Sequence, residues 1–342
     1  MGELKYINQE KRYKVNTIKL FIFLCTVTAL LTTNLCAKEI KKEIVLGCEI
    51  SFLTSSILVA ENKEYFKEKG LNIKTKEFDS GRNALAAMLK NRDIDICTVA
   101  QTPIVLHSFH RDDFAIIGAM VSSYNDIKVL VRQDKGIKKP MDLRGKKVGV
   151  TKGSTGHFYL NNFLDYNGLT DSDVDGIDLN ASELPQALAD GRVDAISTWE
   201  PHIVNAMKIL GEKALFLPGE SIFREDFYFV VLKSFIKDNP ESLKMFLGAI
   251  EKGENFIHEN KEEAITIVSE RLKIDKETTA TVWEDFDFQL ILDQSIFTSL
   301  EVEARWAIRE GMTEKREVPN YLDFIYIDAL EDVNPESVTI IR

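Results

Sequence analysis

From residue 43 to residue 235 the sequence alternates short β-type runs with amphipathic helical runs, and this rhythm limits the fold more than any single motif. EIVLGCEI (43–50), LNIKTKEF (71–78), IDICTVA (94–100) and FAIIGAMV (114–121) read as strands. Between them, SSILVAENKEYFKEKG (55–70), RNALAAMLKNRD (82–93) and TPIVLHSFHR (102–111) read as helices. In the first of these, Ile57, Leu58, Tyr65 and Phe66 lie on one side and Gly70 closes the helix. Such alternation predicts an α/β fold, with mostly parallel sheets flanked by helices.

The rhythm restarts after residue 126. IKVLVRQD (127–134) is a strand, PMDLRG (140–145) a turn-rich link, and residues 146–168 a strand, a glycine-bearing loop and a helix. GIDLN, SELPQALADG, VDAIST, WEPHIVNAMKILG and KALFLP continue the alternation to residue 218, and FYFVVLKSF (227–235) is strand-like. From Pro240 to about residue 311 the pattern becomes three or four helices. An internal echo supports two similar halves: ALAAMLKNRDIDICTVAQTPIV (84–105) resembles LPQALADGRVDAISTWEPHIV (184–204). It sets Gln101-Thr102-Pro103 and Trp199-Glu200-Pro201 at equivalent places, just past the carboxyl end of a strand, where open α/β sheets bind ligands. Pro201 suits the first turn of the helix that follows.

Residues 1–37 differ from the rest. Lys11, Arg12, Lys14 and Lys19 precede the apolar run LFIFLCTVTALL (20–31), and a small residue, Ala37, stands before a charged segment. This is the layout of a secretory signal cleaved after Ala37. The apolar run is short for a membrane span, and Thr33-Asn34-Leu35 makes a poor lipobox before Cys36. The expectation is therefore a secreted chain without a lipid anchor. The net charge of −11, with no basic arm or patch in the body of the chain, argues against nucleic acid as a partner. Beyond the leader only Cys48 and Cys97 remain, both in strand-like runs; the sequence leaves open whether they pair.

Five segments in this order and spacing, EYFKEKGLNIK, the Ser80-Gly81 pair followed by ALAAMLKNRDIDI, DLRGKKVGVTKGSTGH and ALADGRVDAISTWEP, resemble the periplasmic substrate-binding proteins of ABC importers. The subgroup they are most similar to handles nitrate, sulfonates, taurine and the pyrimidine precursor of thiamine. The resemblance implies a two-lobed, type II-like fold: 43–125 plus 230–342 as the first lobe, and 126–229 as the second. It further implies a small organic ligand in the cleft, hinge closure on it, a membrane permease as acceptor, a monomer, an extracytoplasmic location and no cofactor. A related reading is a ligand-sensing subunit. A more distant one is an enzyme of menaquinone or thiamine-precursor biosynthesis on the same scaffold. The export signal argues against the enzyme, and so do five histidines without metal or triad spacing.

Candidate ligand-binding residues follow from the strand-to-helix junctions. Ser154, Thr155, Gly156 and His157 open a helix, where free N–H groups and hydroxyls suit an anion; an ordinary helix cap is the alternative. Ser80 and Gly81 open another, and Arg82 beside them suits a carboxylate or sulfonate, or else is a solvated first-turn residue. Ser51, Phe52 and Thr54 follow the first strand, with Phe52 either stacking on the ligand or covering the strand end. Gln101 and Thr102 follow the third. Tyr124 lies near the first crossing and Asp226 near the second, where Asp226 either receives a ligand amine or is a solvated acid. Trp199 offers a flat face to a planar or cationic group, unless it caps the core. Glu200 accepts from a ligand amino group, or stabilises its own helix. The missing cysteine-rich motif of some thiamine-precursor binders weakens a pyrimidine ligand. The expected ligand is anionic, sulfonate-like or pyrimidine-like.

Overall fold

The structure is a computed structural model that describes residues 40–219 and 222–341. By internal contacts the chain divides into Met1–Ile40 and Lys41–Arg342, and everything below concerns the second unit. The expected leader, 1–37, lies outside the described residues.

Strands are β1 (Glu43–Glu49), β2 (Asn72–Phe78), β3 (Ile96–Ala100), β4 (Phe114–Ser123), β5 (Lys128–Arg132), β6 (Lys147–Val150), β7 (Asp175–Asp178), β8 (Ala195–Thr198), β9 (Ala214–Phe216), β10 (Glu225–Leu232) and β11 (Phe286–Asp287). They form two sheets, ordered β11-β4-β10-β3-β1-β2 and β7-β6-β8-β5-β9. The chain passes from the first sheet to the second through 124–127 and returns between β9 and β10. All of β10 pairs within the first sheet, so the return falls before Glu225 rather than at 229–230.

The expected parallel sheets are present with one systematic difference. β1, β2 and β3 run parallel, as do β6, β7 and β8. β10 is inserted antiparallel between β3 and β4, and β5 antiparallel between β8 and β9. Both of these strands are the first after a crossing; the two-residue β11, also antiparallel to its neighbour β4, comes from the C-terminal region. Because the crossing delivers the chain at the carboxyl ends of the parallel strands, it enters from the opposite end: Phe227, near the start of β10, lies opposite Ala100, the last residue of β3. β4 and β10 are buried along their whole length, which explains their unbroken apolar runs; β2, at an edge, is mostly exposed.

The helix read over 55–70 is two helices, Ser55–Asn62 and Tyr65–Glu68, separated where Glu64 takes a left-handed conformation (φ 59°). Four C-terminal helices, Pro240–Glu259, Lys261–Leu272, Lys276–Trp283 and Ser295–Arg309, join the core of the first sheet through residues such as Leu243, Phe246, Leu300 and Trp306. The second sheet has an apolar cluster on each face. Val129, Val131 and Phe163 belong to one; Leu130, Ile196 and Ile203 belong to the other. That split follows the period-two alternation of strand side chains. Cys48 and Cys97 are both free and buried. β1 and β3 are neighbours, but the register sets Gly47 beside Cys97, so the two thiols point to opposite faces. Among the described residues no helix is long and apolar enough to cross a membrane.

Candidate functional site

The carboxyl ends of β1, β3 and β8 and the start of β10 converge on one narrow pocket, partly open to solvent, with a cavity volume of about 20 Å³. The first sheet and its connections supply Glu49, Ser80, Gly81, Arg82, Glu225 and Phe227, with Leu53, Ala100 and Pro103 as apolar wall. The second supplies Ser154, Thr155 and Trp199. This is where α/β sheets place ligands, since strand ends and helix starts leave backbone groups and loop side chains free to converge.

Glu49 organises the floor. It is the last residue of β1 and almost fully buried. Trp199 Nε1 donates to its Oε1 at 2.6 Å, and the Gly81 amide donates to its Oε2 at 3.1 Å. The first turn of Gly81–Asn91 thus already holds a carboxylate. Burial nevertheless raises the Glu49 carboxyl to about 8, against the lowering effect of these two donors. Gly81 cannot carry a side chain here: a Cβ would stand 2.8 Å from Val99 Cα and 3.0 Å from Thr98 O. Gly156 has a similar role across the pocket. A Cβ there would approach the Ser197 carbonyl and the Trp199 ring to 3.3 Å each, so its absence lets the helix Thr155–Tyr166 lie against the indole.

Glu225 forms the neighbouring wall, with the Asp126 carboxyl beside it; Glu225 Oε2 and Asp126 Oδ2 are both buried without a hydrogen-bond partner. These residues belong to the two segments where the chain changes sheets, at the start of β10 and in 124–127. Burial first, then the charge of Asp126, raises Glu225 well above the carboxylate range; Asp126 is raised to about 6, mainly by burial. Glu200 lies behind this pair. Its amide donates to Asp126 Oδ1 at 3.2 Å, and Lys128 Nζ stands 3.5 Å from its carboxylate.

The sequence-derived candidates fall into two groups. Ser80, Gly81, Arg82, Ser154, Thr155 and Trp199 line the pocket. The Ser154 hydroxyl donates to Thr151 O at 2.6 Å, whereas Thr155 Oγ1, in a residue 3% exposed, has no partner. Arg82 Nη1 donates to the Lys152 carbonyl, linking the two sheets' connections at the rim.

The others lie elsewhere. Phe52 is fully buried and stacks on Phe286 at 5.8 Å. Thr54 Oγ1 donates to the carbonyls of Glu49 and Ser51, fixing the chain after β1, while Ser51 Oγ is buried without a partner. Gln101 brackets the return segment: its Nε2 donates to Arg224 O at 3.0 Å and its Oε1 accepts from the Asp226 amide at 3.1 Å. Asp226 pairs with Arg224 at 2.9 Å. Thr102 Oγ1 donates to Glu303 in the C-terminal helices. Tyr124 is 55% exposed. His157 meets Trp306 edge-on, and burial lowers its pKa. Glu200 Oε2 accepts from the Val204 amide at 3.0 Å, in the first turn of the helix that follows it. Pro201 stands just before the helix His202–Leu210 rather than inside its first turn, and follows a cis peptide bond. Among the described residues no cluster of histidine, cysteine and carboxylate side chains has the arrangement of a metal site.

Glu49 and Glu225 were not among the candidates. Glu49 is the next-to-last residue of the run EIVLGCEI, and Glu225 sits in Arg224-Glu225-Asp226, which reads as a solvated turn. The usable clue was a carboxylate at the carboxyl end of an otherwise buried strand, the position that faces a cleft.

The sequence over residues 53–264 matches the protein family described as NMT1/THI5 like. A protein of Bacillus subtilis (strain 168) named for binding aliphatic sulfonates is 29% identical over 300 residues, 85% of this chain and 89% of its own. The taurine-binding periplasmic protein of Escherichia coli (strain K12) is 26% identical over 207 residues, 59% of this chain and 62% of its own. The fold matches that of the alkanesulfonate-binding protein SsuA from Xanthomonas axonopodis pv. citri, solved bound to MOPS. The TM-score is 0.75 over 84% of this chain and 99% of that one, at 18% identity.

Proposed function

The chain belongs to the NMT1/THI5-like family, and on that premise we propose that it is the extracytoplasmic solute-binding component of an ABC importer. It captures a small organic solute and hands it to a membrane permease. The observation that carries this reading is the pocket itself: residues of both sheets wall it, and Trp199 reaches from one side to Glu49 on the other. A ligand there would touch both halves at once, so binding favours their closure.

In this reading the two sheets are the cores of two lobes. The first comprises the strands before residue 124 with β10 and the C-terminal helices; the second comprises residues 128–216. The segment 124–127 and the connection that ends at residues 222–224 are the hinge. The protein acts as a monomer outside the cytoplasm and catalyses no reaction. The names of its relatives support transport over catalysis.

Thermal unfolding with and without solutes tests the reading. The panel holds alkyl and aryl sulfonates, taurine, aromatic carboxylates, nitrate and aminopyrimidines. A solute at about 100 times its dissociation constant adds about 2.7 kcal/mol, enough to raise the midpoint by several degrees. Trp199→Ala abolishes that rise while the protein stays folded. A solute that stabilises the Trp199→Ala protein as much as the parent does not bind in this pocket, and the reading fails.

A further inference from the structure

We propose that the solute held in this pocket carries a cationic N–H head group, an ammonium or an amidinium, and that Glu49 and Glu225 receive it. This rests on the reading of the pocket as a solute site and names the chemistry of its occupant.

Three observations carry it. First, the seat that an anion would need at the first turn of Gly81–Asn91 is filled by the protein's own carboxylate, since the Gly81 amide already donates to Glu49 Oε2 at 3.1 Å. An anionic ligand on this side would lie against Glu49. Second, the two ionisable groups on the buried floor and wall are both carboxyls, Glu49 and Glu225, each 4% exposed, and Asp126 stands behind Glu225. The one cationic residue lining the pocket, Arg82, is at the part-exposed rim and is engaged with the Lys152 carbonyl. Third, Thr155 Oγ1 is buried, belongs to a residue lining the pocket and has no protein partner, so it is free to bond a polar ligand group.

The arrangement also has the right surroundings for a cation. Trp199 and Phe227 both line the pocket, and an aromatic ring face attracts a cation. The indole N–H is taken by Glu49 at 2.6 Å. Each oxygen of Glu49 accepts one hydrogen bond from the protein and keeps capacity for another. An ammonium or amidinium between Glu49 and Glu225 supplies donors, and its charge favours the ionised form of carboxyls that burial otherwise keeps protonated. An acidic tail on the same solute, if it has one, reaches Arg82 at the rim.

Matched probes separate this proposal from the reading it rests on. Binding to the purified protein, unfolded and refolded to release any carried solute, is measured by titration calorimetry. Benzamidine is set against benzenesulfonate, which keeps the phenyl ring and exchanges the amidinium for a sulfonate, and taurine against 2-hydroxyethanesulfonate, which keeps the sulfonate chain and exchanges the ammonium for a hydroxyl. The expected result is a preference of roughly tenfold or more for the N–H-bearing member of at least one pair. Glu49→Gln and Glu225→Gln, each checked by circular dichroism for retained fold, reduce that preference to below about threefold. If the anions bind as well as or better than their partners, the proposal is overturned while the solute-binding reading stands. If no probe of either class binds at millimolar concentration, both fall. If one variant unfolds, the preference of the unmodified protein and the other variant still decide.

Discussion

Trp199 Nε1 and Glu49 Oε1 lie 2.6 Å apart; Glu49 ends β1 of one sheet and Trp199 directly follows β8 of the other. The bond joins the two halves through a buried carboxyl. Trp199→Phe keeps the ring and removes the donor, leaving Glu49 Oε1 without its hydrogen bond. Loss of about 1–3 kcal/mol is expected in urea denaturation at neutral pH, the range for an unsatisfied buried acceptor. A change below about 0.5 kcal/mol would show that the bond contributes nothing to holding the halves together.

Buried carboxyls give the protein an unusual dependence of stability on pH. Burial raises Glu49 and Glu303 to about 8, Glu200 to about 7, and Asp126 and Asp226 to about 6. Below the ordinary carboxyl range, folded and unfolded chains hold the same protons at these sites. As pH rises from there toward 8, the unfolded chain releases protons that the folded one keeps, so stability falls. Acids paired at the surface act in the opposite sense. Arg111 lowers Asp113 and Arg132 lowers Asp134, and their contribution is lost as the pH drops through the range where they titrate. The ligand-free protein should therefore be most stable near about pH 5 and melt several degrees lower at about pH 8.5. Glu303→Gln should flatten part of that slope. A midpoint that rises steadily from about pH 5 to about pH 8.5 would mean these groups are ionised in the folded state.

The two thiols are predicted to stay unpaired and inert. Cys48 and Cys97 face opposite sides of the first sheet. Burial pushes the Cys48 thiol up to about 12 and raises Cys97 as well. Because the thiolate is the reactive form, an alkylating reagent should modify neither in the native protein and both in denaturant. A peptide map of the non-reduced, alkylated protein that shows Cys48 linked to Cys97 would refute the register described for β1 and β3.

The legible part of this molecule was its rhythm. Apolar runs such as 114–121 became central strands because a strand buried on both faces has no polar positions to hide it. The direction of β10 and β5 was not legible, since a strand's sequence is the same whichever way it enters a sheet; the two crossings decide it. At the site, glycines and hydroxyls at helix starts led to Ser80, Gly81, Ser154 and Thr155, because tight junctions restrict residue type. Phe52, Gln101, Thr102 and Glu200 stand at similar junctions, yet they turn toward the protein and not the pocket. Which way a junction side chain turns depends on partners distant in sequence. Glu303 is one such partner, 201 residues from Thr102.

That pair gives the last prediction. Thr102 Oγ1 donates to Glu303 Oε2, while Glu303 Oε1 is buried with no partner; neither residue lines the pocket. Burial holds Glu303 at about 8, so near neutral pH it is mostly a neutral acid, with the Thr102 hydroxyl opposing that rise. Thr102→Val keeps the shape and removes the donor. It should cost about 1–3 kcal/mol in denaturant unfolding and raise the Glu303 pKa further. Glu303→Gln should cost less, because its amide replaces a carboxyl that was already uncharged. Both proteins should bind solute with the parent's affinity once folded. A Thr102→Val protein with unchanged stability and weakened binding would move Thr102 from the support of the helix Ser295–Arg309 to direct ligand contact. The pocket's wall would then extend past Pro103 toward the C-terminal helices.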